Sequence, residues 1–142
     1  MPVAAATMSE SKDTHAPQYT MQNVSQTGRL RDLNTDSTQR NVAVAMHLSP
    51  LGFFVIGPLA MLAPIVMWLI RKDNSPFEDD HGREVTNMAI TSVLVSLLVF
   101  TGIGAIFTII WCIVILINMI RGAVASSNGE FFRYPMTLRL IN

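Results

Sequence analysis

His81, Glu84 and Asn87 carry the side chains of this sequence best able to do chemistry, and they recur at intervals of three residues. If the segment is an α-helix, that spacing places the three side chains on one face. His47 interrupts a distant apolar run and can join them in a polar site between helices. Imidazole and carboxylate groups are also ligands for divalent metal ions, but His-x-x-Glu alone is a weak pattern. We therefore expect neither a metal site nor a cofactor.

The same cluster has a simpler structural interpretation, which we favour. Ser75 can cap a helix that begins at Pro76, and the acidic residues 78–80 suit the positive end of its dipole. From Val85 to Ile120, 36 consecutive residues carry no charge. The cluster is then the polar entrance of a helix that continues into a membrane, and its charged side chains form local pairs at the interface.

Composition indicates a membrane protein. Half of the 142 residues are apolar and 14% are charged, whereas about 25% are charged in a typical soluble domain. Ten basic and ten acidic residues cancel, so no net charge attracts nucleic acid. The single cysteine, Cys112, excludes an internal disulfide. No nucleophile–base arrangement or phosphate-binding glycine loop is apparent, and we expect no enzymatic activity.

The first apolar run, residues 41–70, carries no charge. One helix of that length would extend about 45 Å, which exceeds the hydrocarbon core of about 30 Å. Because proline interrupts helices, we predict two of them, near 38–54 and 58–71, with Ser37 or Thr38 as the first cap. The run contains three prolines, at Pro50, Pro58 and Pro64.

The second apolar run, residues 85–120, is also too long for one crossing. Two glycines in the stretch 101–104 favour a turn. We therefore predict a helical hairpin with arms near 77–101 and 104–124. Together the two runs predict an all-α bundle of three or four membrane helices in two hairpins.

The positions of the basic residues favour the arrangement with two complete hairpins. All ten Lys and Arg lie before residue 41, in the connector 71–84, or from Arg121 onward. Two hairpins place all of them on one side of the membrane, which the positive-inside rule identifies as the cytoplasm. We therefore expect a multi-pass protein of the cytoplasmic (inner) membrane with both termini cytoplasmic. A single crossing by residues 41–70, which gives three helices, would separate the N-terminal bases from the others.

Three segments follow from this organisation. Residues 1–36 are polar and aperiodic, which is typical of a flexible tail. Residues 37–126 form the membrane domain. Residues 127–142 form a cytoplasmic tail, and the alternation of apolar and polar side chains from Met136 to Leu140 favours an extended segment.

Individual side chains suit the membrane interface. Trp68 and the basic pair Arg71 and Lys72 end the first apolar run, where aromatic and basic residues anchor helices. Arg121 ends the second run and can extend its charge to the headgroups. Asn118 is interpreted as a hydrogen-bonding residue between helices.

The aromatic part of the C-terminal tail is a candidate docking segment for a partner. It combines large apolar side chains with a proline, which would end any helix before it. The alternative is that this segment lies against the membrane or the connector. The candidate docking residues are Phe131, Phe132, Tyr134 and Pro135.

Three stretches, taken in order, resemble a known family. They are HLSPLG at 47–52, APIVMWLIRKDNSPFEDDHGREVTN at 63–87 and NGEFFRYPMTLRLI at 128–141. Together they resemble the Tic-twenty-like family of small bacterial membrane proteins of unknown function, distant kin of a chloroplast inner-envelope translocon component. The resemblance covers roughly residues 40–142 and implies a helical membrane domain. Kinship of fold does not carry function.

The sequence thus predicts an integral membrane protein that acts as an accessory or assembly subunit of a membrane complex. Its partners are then membrane lipid and other membrane subunits, or further copies of itself. The alternative is an oligomeric channel or protein-translocation component. In that case His47, Glu84, Asn87 and Asn118 are the only polar line along a path. A membrane enzyme ranks third, since it would need a metal or a lipid substrate beside His81.

Overall fold

The computed structural model describes residues 23–141 of the chain. Within that range the protein is all-helical, with isolated bridges but no strand. Short 3-10 turns connect some of the helices, at Ser49–Gly52, Gly57–Met61 and Leu97–Phe100. The five helices are α1 (Ser37–Leu48), α2 (Phe53–Ile56), α3 (Leu62–Arg71), α4 (Pro76–Ser96) and α5 (Gly104–Ser127).

The second hairpin, α4 with α5, is confirmed. The Ser75 side chain caps α4 by accepting a hydrogen bond from the Glu78 backbone N–H at 3.1 Å. Two helical stretches are long and apolar enough to cross a membrane, Pro76–Phe100 with 25 residues and Gly104–Ser127 with 24. At 1.5 Å per residue each extends about 36 Å, which is enough to span the hydrocarbon core with some tilt.

The first apolar run is more broken than predicted. The expected helix over 38–54 ends at Leu48, because Pro50 lacks a backbone N–H, and a 3-10 turn begins at Ser49. The chain reverses at Gly57, whose positive φ of 65° suits glycine. The helical stretch Leu59–Arg71 extends about 20 Å, which is less than a full crossing. Two helical stretches long enough to cross a membrane are therefore present in residues 23–141, so the predicted three or four are shown only in part.

The start of α1 also differs by one residue from the prediction. Asp36 caps α1, and its carboxylate accepts a hydrogen bond from the Gln39 backbone N–H at 2.7 Å. The Gln39 side chain accepts one in return from the Asp36 N–H at 3.2 Å. This reciprocal capping box selects Asp36 over the hydroxyls of Ser37 and Thr38.

The two hairpins point in the same direction. An apolar cavity of about 390 Å³ is lined by Phe53 and Phe54 near the tip of the first hairpin and by Val99 and Phe100 near the tip of the second. Ion pairs between different segments of the chain lie at the other end of the bundle, among them Arg71–Glu78 and Arg133–Asp80. The described charged residues therefore gather opposite the hairpin tips.

The buried core also lies toward the charged end. Helix α1 packs against α5 and α4, and α3 packs against α4. The α3–α4 contact is close, because a Cβ added at Gly82 would overlap the Trp68 ring. The core cluster is largely apolar and contains Met46, Val85, Met88, Ile115, Met119, Ala125, Phe132 and Tyr134.

The two terminal segments meet beside this core. Residues 1–22 of the predicted N-terminal tail lie outside the described residues. Residues 23–36 form a turn whose chain pairs with the C-terminal segment: the Asp32 N–H donates to the Gly129 carbonyl at 2.9 Å, and the Phe131 N–H donates to the Leu30 carbonyl at 2.9 Å. The folded domain therefore begins before residue 37.

Candidate functional site

A continuous hydrogen-bonded chain of three buried side chains links three parts of the fold. His47 lies on α1, His81 on α4 and Tyr134 in the C-terminal tail, and all three are buried. His47 Nδ1 lies 2.7 Å from the Tyr134 hydroxyl, and His47 Nε2 lies 2.9 Å from His81 Nδ1. His81 Nε2 lies 3.1 Å from the backbone carbonyl oxygen of Glu130. We call His47, His81 and Tyr134 the histidine lock.

The last acceptor fixes the direction of every hydrogen bond in the lock. A carbonyl oxygen only accepts, so His81 donates from Nε2 and, when neutral, accepts at Nδ1. His47 must then donate from Nε2 to His81, which leaves its Nδ1 to accept from the Tyr134 hydroxyl. These tautomers are assigned from the hydrogen-bond network. The network is satisfied with all three side chains neutral.

This geometry suits a structural connection and not a proton relay. The chain ends on the Glu130 carbonyl, an amide oxygen that cannot pass a proton onward at neutral pH. At the other end, burial, and to a lesser extent the nearby Glu84 carboxylate, raise the pKa of the Tyr134 phenol. The phenol therefore stays protonated and keeps donating to His47. Satisfied buried networks of this kind fix one arrangement of a core.

Gly122 leaves the space that the His47 imidazole occupies. Helix α5 presents Gly122 to the imidazole, and a Cβ added there would lie 2.5 Å from His47 Nδ1. One turn later, Ser126 is buried and its hydroxyl lies 3.3 Å from His81 Nδ1 while donating to the Gly122 carbonyl at 2.8 Å. Sequence reasoning missed both residues, although small residues four apart on an apolar helix are a signal of close helix packing.

Below the lock, side chains on one face of α4 hold the tail through hydrogen bonds to its backbone and to one of its side chains. Glu84 Oε2 accepts from the Tyr134 N–H at 3.2 Å, and its Oε1 accepts from Arg139 Nε at 3.1 Å. Thr91 Oγ1 accepts from the Leu138 N–H at 3.0 Å. The spacing from 84 to 91 is two helical turns, so a single helix face follows the extended tail.

Asn87 makes the most complete of these contacts. Its Oδ1 accepts from the backbone N–H groups of Leu140 at 3.0 Å and Ile141 at 2.9 Å, and its Nδ2 donates to the Ile141 carbonyl at 2.9 Å. The side-chain amide thus satisfies the tail backbone as a neighbouring strand would. Sequence reasoning placed Asn87 on this face but assigned it no such partner.

Replacing Asn87 with alanine should release the end of the tail while the helices stay folded. The substitution removes three hydrogen bonds, each worth about 1 kcal/mol, and all three go to the last two described residues. We expect amide hydrogen exchange at 138–141 to accelerate by at least about tenfold. Ser92→Ala, which removes a hydroxyl from the same helix without touching the tail backbone, is the control. Unchanged exchange at 138–141 in Asn87→Ala would contradict this role.

Asn118 lies apart from the other residues of the predicted polar face. It is buried on α5, and its Nδ2 donates to the Val114 carbonyl at 2.8 Å. Its Oδ1 has no partner within the described part of the chain. The face predicted from His47, His81, Glu84, Asn87 and Asn118 is therefore divided: four members hold helices and tail together, and Asn118 lines a separate cavity.

Two of the four predicted interface anchors are engaged within the protein. Trp68 donates a hydrogen bond from Nε1 to the Asp79 carboxylate at 2.8 Å. Arg71 makes a bidentate ion pair with the fully buried Glu78, at 3.0 and 3.1 Å. Lys72 and Arg121 are exposed. The first two side chains thus join α3 to α4, while the last two remain available to headgroups.

The predicted docking segment is similarly divided. Phe132 and Tyr134 are buried in the protein's own core, so their rings face its helices in this conformation. Phe131 is partly buried and Pro135 is exposed. Both of these line the cavity that also contains Asn118.

The described residues 23–141 contain no group of three His, Cys, Asp or Glu side chains placed to hold a metal ion. The closest imidazole pair, His47 with His81, is bonded nitrogen to nitrogen. Its remaining ring nitrogens face the Tyr134 hydroxyl and the Glu130 carbonyl. In this conformation the lock thus offers no free pair of ligands.

Comparison with known proteins adds the family. Residues 38–141 match the family model described as "Magnetosome magnetite crystal formation protein family" (MamF_MmsF). No curated protein and no solved structure matches the chain significantly. The resemblance to the Tic-twenty-like family is therefore wrong, because the match over this range is to a different family. The short motifs that carried the resemblance are mainly a polar helix entrance between apolar runs, which unrelated membrane hairpins can share.

Proposed function

Because the chain belongs to the magnetosome magnetite crystal formation protein family, we propose that it is a non-enzymatic accessory subunit of a membrane complex that forms the crystal. The observation that supports this role is the contrast between its two ends. At the charged end, polar side chains bond to one another and to the tail. At the apolar end, large side chains are left uncovered.

The uncovered surface is extensive and faces several directions around α5. Exposed fractions are 86% for Phe100 and 62% for both Ile106 and Ile109. In a membrane such faces contact lipid or the helices of neighbouring subunits. The helix faces outside the core therefore offer the protein's contact surface for partner subunits.

We further propose that the protein is multi-pass in the cytoplasmic membrane or a membrane derived from it, with both ends of the chain cytoplasmic. The gathering of described charges opposite the hairpin tips supports this topology, because only one side of a membrane then contacts ionised groups. The broken first hairpin enters the bilayer from that side and returns to it, in this proposal, without reaching the far surface.

The channel alternative gains no support from the geometry of a single chain. His47 is hydrogen-bonded to Tyr134, Asn87 to Ile141 and Glu84 to Arg139. These polar side chains are occupied by protein atoms and do not face an open passage. We therefore retain the accessory subunit as the proposed function.

Purification in mild detergent from the native membrane tests this function. Two differently tagged copies of the full chain are co-expressed, so that self-association and association with an unlike subunit are both measured. We expect an unlike membrane subunit in a fixed ratio in the size-exclusion peak, and its loss when the apolar surface is altered by Ile109→Asn with Ile113→Asn. A matched control places Asn at Val24 and Leu33, which are exposed but lie before α1. A ring of identical copies, or a lone chain, would contradict the proposal.

A further inference from the structure

A second cavity, separate from the histidine lock, opens at the charged end of the bundle. Its volume is about 400 Å³. Basic, amide and aromatic side chains line it, so it combines positive charge with an apolar wall. The lining includes Arg29, Arg121, Arg133, Asn118, Phe131 and Phe132. We propose that this cavity binds a phosphate ester that also carries a free hydroxyl, such as the phosphoglycerol headgroup of an anionic phospholipid.

The positive charge of the cavity comes chiefly from Arg121. Arg29 is paired with Glu130 at 3.2 Å, and Arg133 is paired with Asp80 at 2.6 Å. Arg121 is exposed and has no carboxylate within ion-pair distance in the described part of the chain. A guanidinium group matches the oxygens of a phosphate with two parallel hydrogen bonds. A phosphate anion would therefore balance the local excess of charge.

We expect a hydroxyl on the ligand because Asn118 Oδ1 lacks a hydrogen-bond donor. Asn118 lies one turn before Arg121 on α5 and is 5% exposed. Because its Nδ2 is bonded to the Val114 carbonyl at 2.8 Å, the orientation of the amide is fixed and Oδ1 is an acceptor without a donor. Buried polar atoms almost always find a partner. A phosphodiester offers acceptors only, so a ligand that satisfies Oδ1 must carry a hydroxyl, and this hydroxyl has to enter the cavity wall at Asn118, where Oδ1 is itself buried.

The depth of the cavity suits a lipid headgroup. Arg121 is the first charged residue after the charge-free run from Val85 to Ile120, so it lies where α5 leaves the apolar layer. Basic pockets at the ends of membrane helices bind anionic headgroups. Leu30, Phe131 and Pro135 also line the cavity and give it an apolar wall, against which the glycerol carbons can pack. A soluble glycerol phosphate offers the same phosphate and hydroxyl groups.

Native mass spectrometry of the full-length protein in detergent tests the proposal. The probes are phosphatidylglycerol, phosphatidic acid and phosphatidylcholine at equal concentration, with glycerol 3-phosphate as a soluble competitor. We expect phosphatidylglycerol to be retained at least tenfold more than phosphatidylcholine. At a pH where the phosphomonoester is fully ionised, we also expect it to be retained more than phosphatidic acid, whose headgroup then has no hydroxyl to donate. Displacement by millimolar glycerol 3-phosphate would identify the soluble ester as an equivalent source. Persistence of the bound lipid would identify the lipid as the source.

Three variants separate this site from general attraction to a charged surface. Arg121→Gln should lower phosphatidylglycerol retention at least tenfold, while Lys72→Gln, an exposed base outside the cavity, should leave it unchanged. Asn118→Leu should remove the preference for phosphatidylglycerol over phosphatidic acid and keep the binding of both. Equal losses in Arg121→Gln and Lys72→Gln, or an unchanged preference in Asn118→Leu, would overturn the proposal. Because binding is measured on the purified chain, failure here leaves the accessory-subunit proposal untouched.

Discussion

His47→Ala should lower the free energy of unfolding by about 3–5 kcal/mol, the range for removing a large side chain from a packed core. The loss has two parts. Removal of the ring leaves a cavity against Gly122, whose missing Cβ makes room for the imidazole. It also leaves the Tyr134 hydroxyl and His81 Nδ1 without their partner, and such orphaned buried groups cost about 1–3 kcal/mol each.

Unfolding of the purified protein in detergent, followed by helical circular dichroism, measures this loss. Tyr134→Phe separates the two parts, because it removes the hydroxyl and keeps the ring. We expect it to cost about 1–2 kcal/mol. Leu48→Ala, at the exposed neighbour of His47, is the matched control and should cost less than about 1 kcal/mol. If His47→Ala costs no more than Leu48→Ala, the histidine lock does not hold the fold.

The second large effect is expected at the ion pair that joins α3 to α4. Arg71→Met leaves the Glu78 carboxylate buried without its cation, and breaking a buried pair in this way costs about 3–5 kcal/mol. The lower end of that range applies, since Arg71 is one-third exposed. The double variant Arg71→Met/Glu78→Gln removes the buried charge as well and should recover most of the loss.

The same unfolding measurement gives the coupling between the two positions. Lys72→Met, which removes an exposed charge next to Arg71, should change the free energy of unfolding by less than about 0.5 kcal/mol. A double variant that is as unstable as the sum of its two single variants would mean that the two side chains act independently. The pair would then not be what joins α3 to α4.

Local signals predicted the second hairpin well. Ser75, Pro76 and the acids after them define one helix start, and the two glycines at 102 and 104 define a turn between apolar arms. Each feature acts within a few residues, so the local sequence is sufficient to predict this hairpin. The charge-free run beyond them also fixes the length of the spanning helices.

The first hairpin was harder because its signals compete. Three prolines and two glycines lie within 15 residues, from Pro50 to Pro64, and each can end a helix. Which of them does so depends on packing, since Pro50 lies within the 3-10 turn Ser49–Gly52 that follows α1, while Pro64 is accommodated within α3. An apolar run of this kind has no polar face to set a period.

The candidate site was predicted only in part, because local patterns show which residues share a helix face but not which groups they contact. Helical spacing placed His81, Glu84 and Asn87 on one face, which is a local property. Their partners lie 50 or more residues away in the tail for Glu84 and Asn87, and nothing in the local pattern indicates backbone N–H groups as those partners. The close approach of Gly122 to His47 is likewise visible only when α1 and α5 are packed together.

In the proposed topology, the chain's ionised groups all share one aqueous side of the membrane. Labelling with a membrane-impermeant maleimide in sealed inverted vesicles tests it most directly, using Cys112→Ser with single cysteines at Asn34, Asp73 or Gly102. We predict that Asn34→Cys and Asp73→Cys react from the cytoplasmic side and that Gly102→Cys does not. Reaction of Asn34→Cys and Asp73→Cys from opposite sides would contradict the claim.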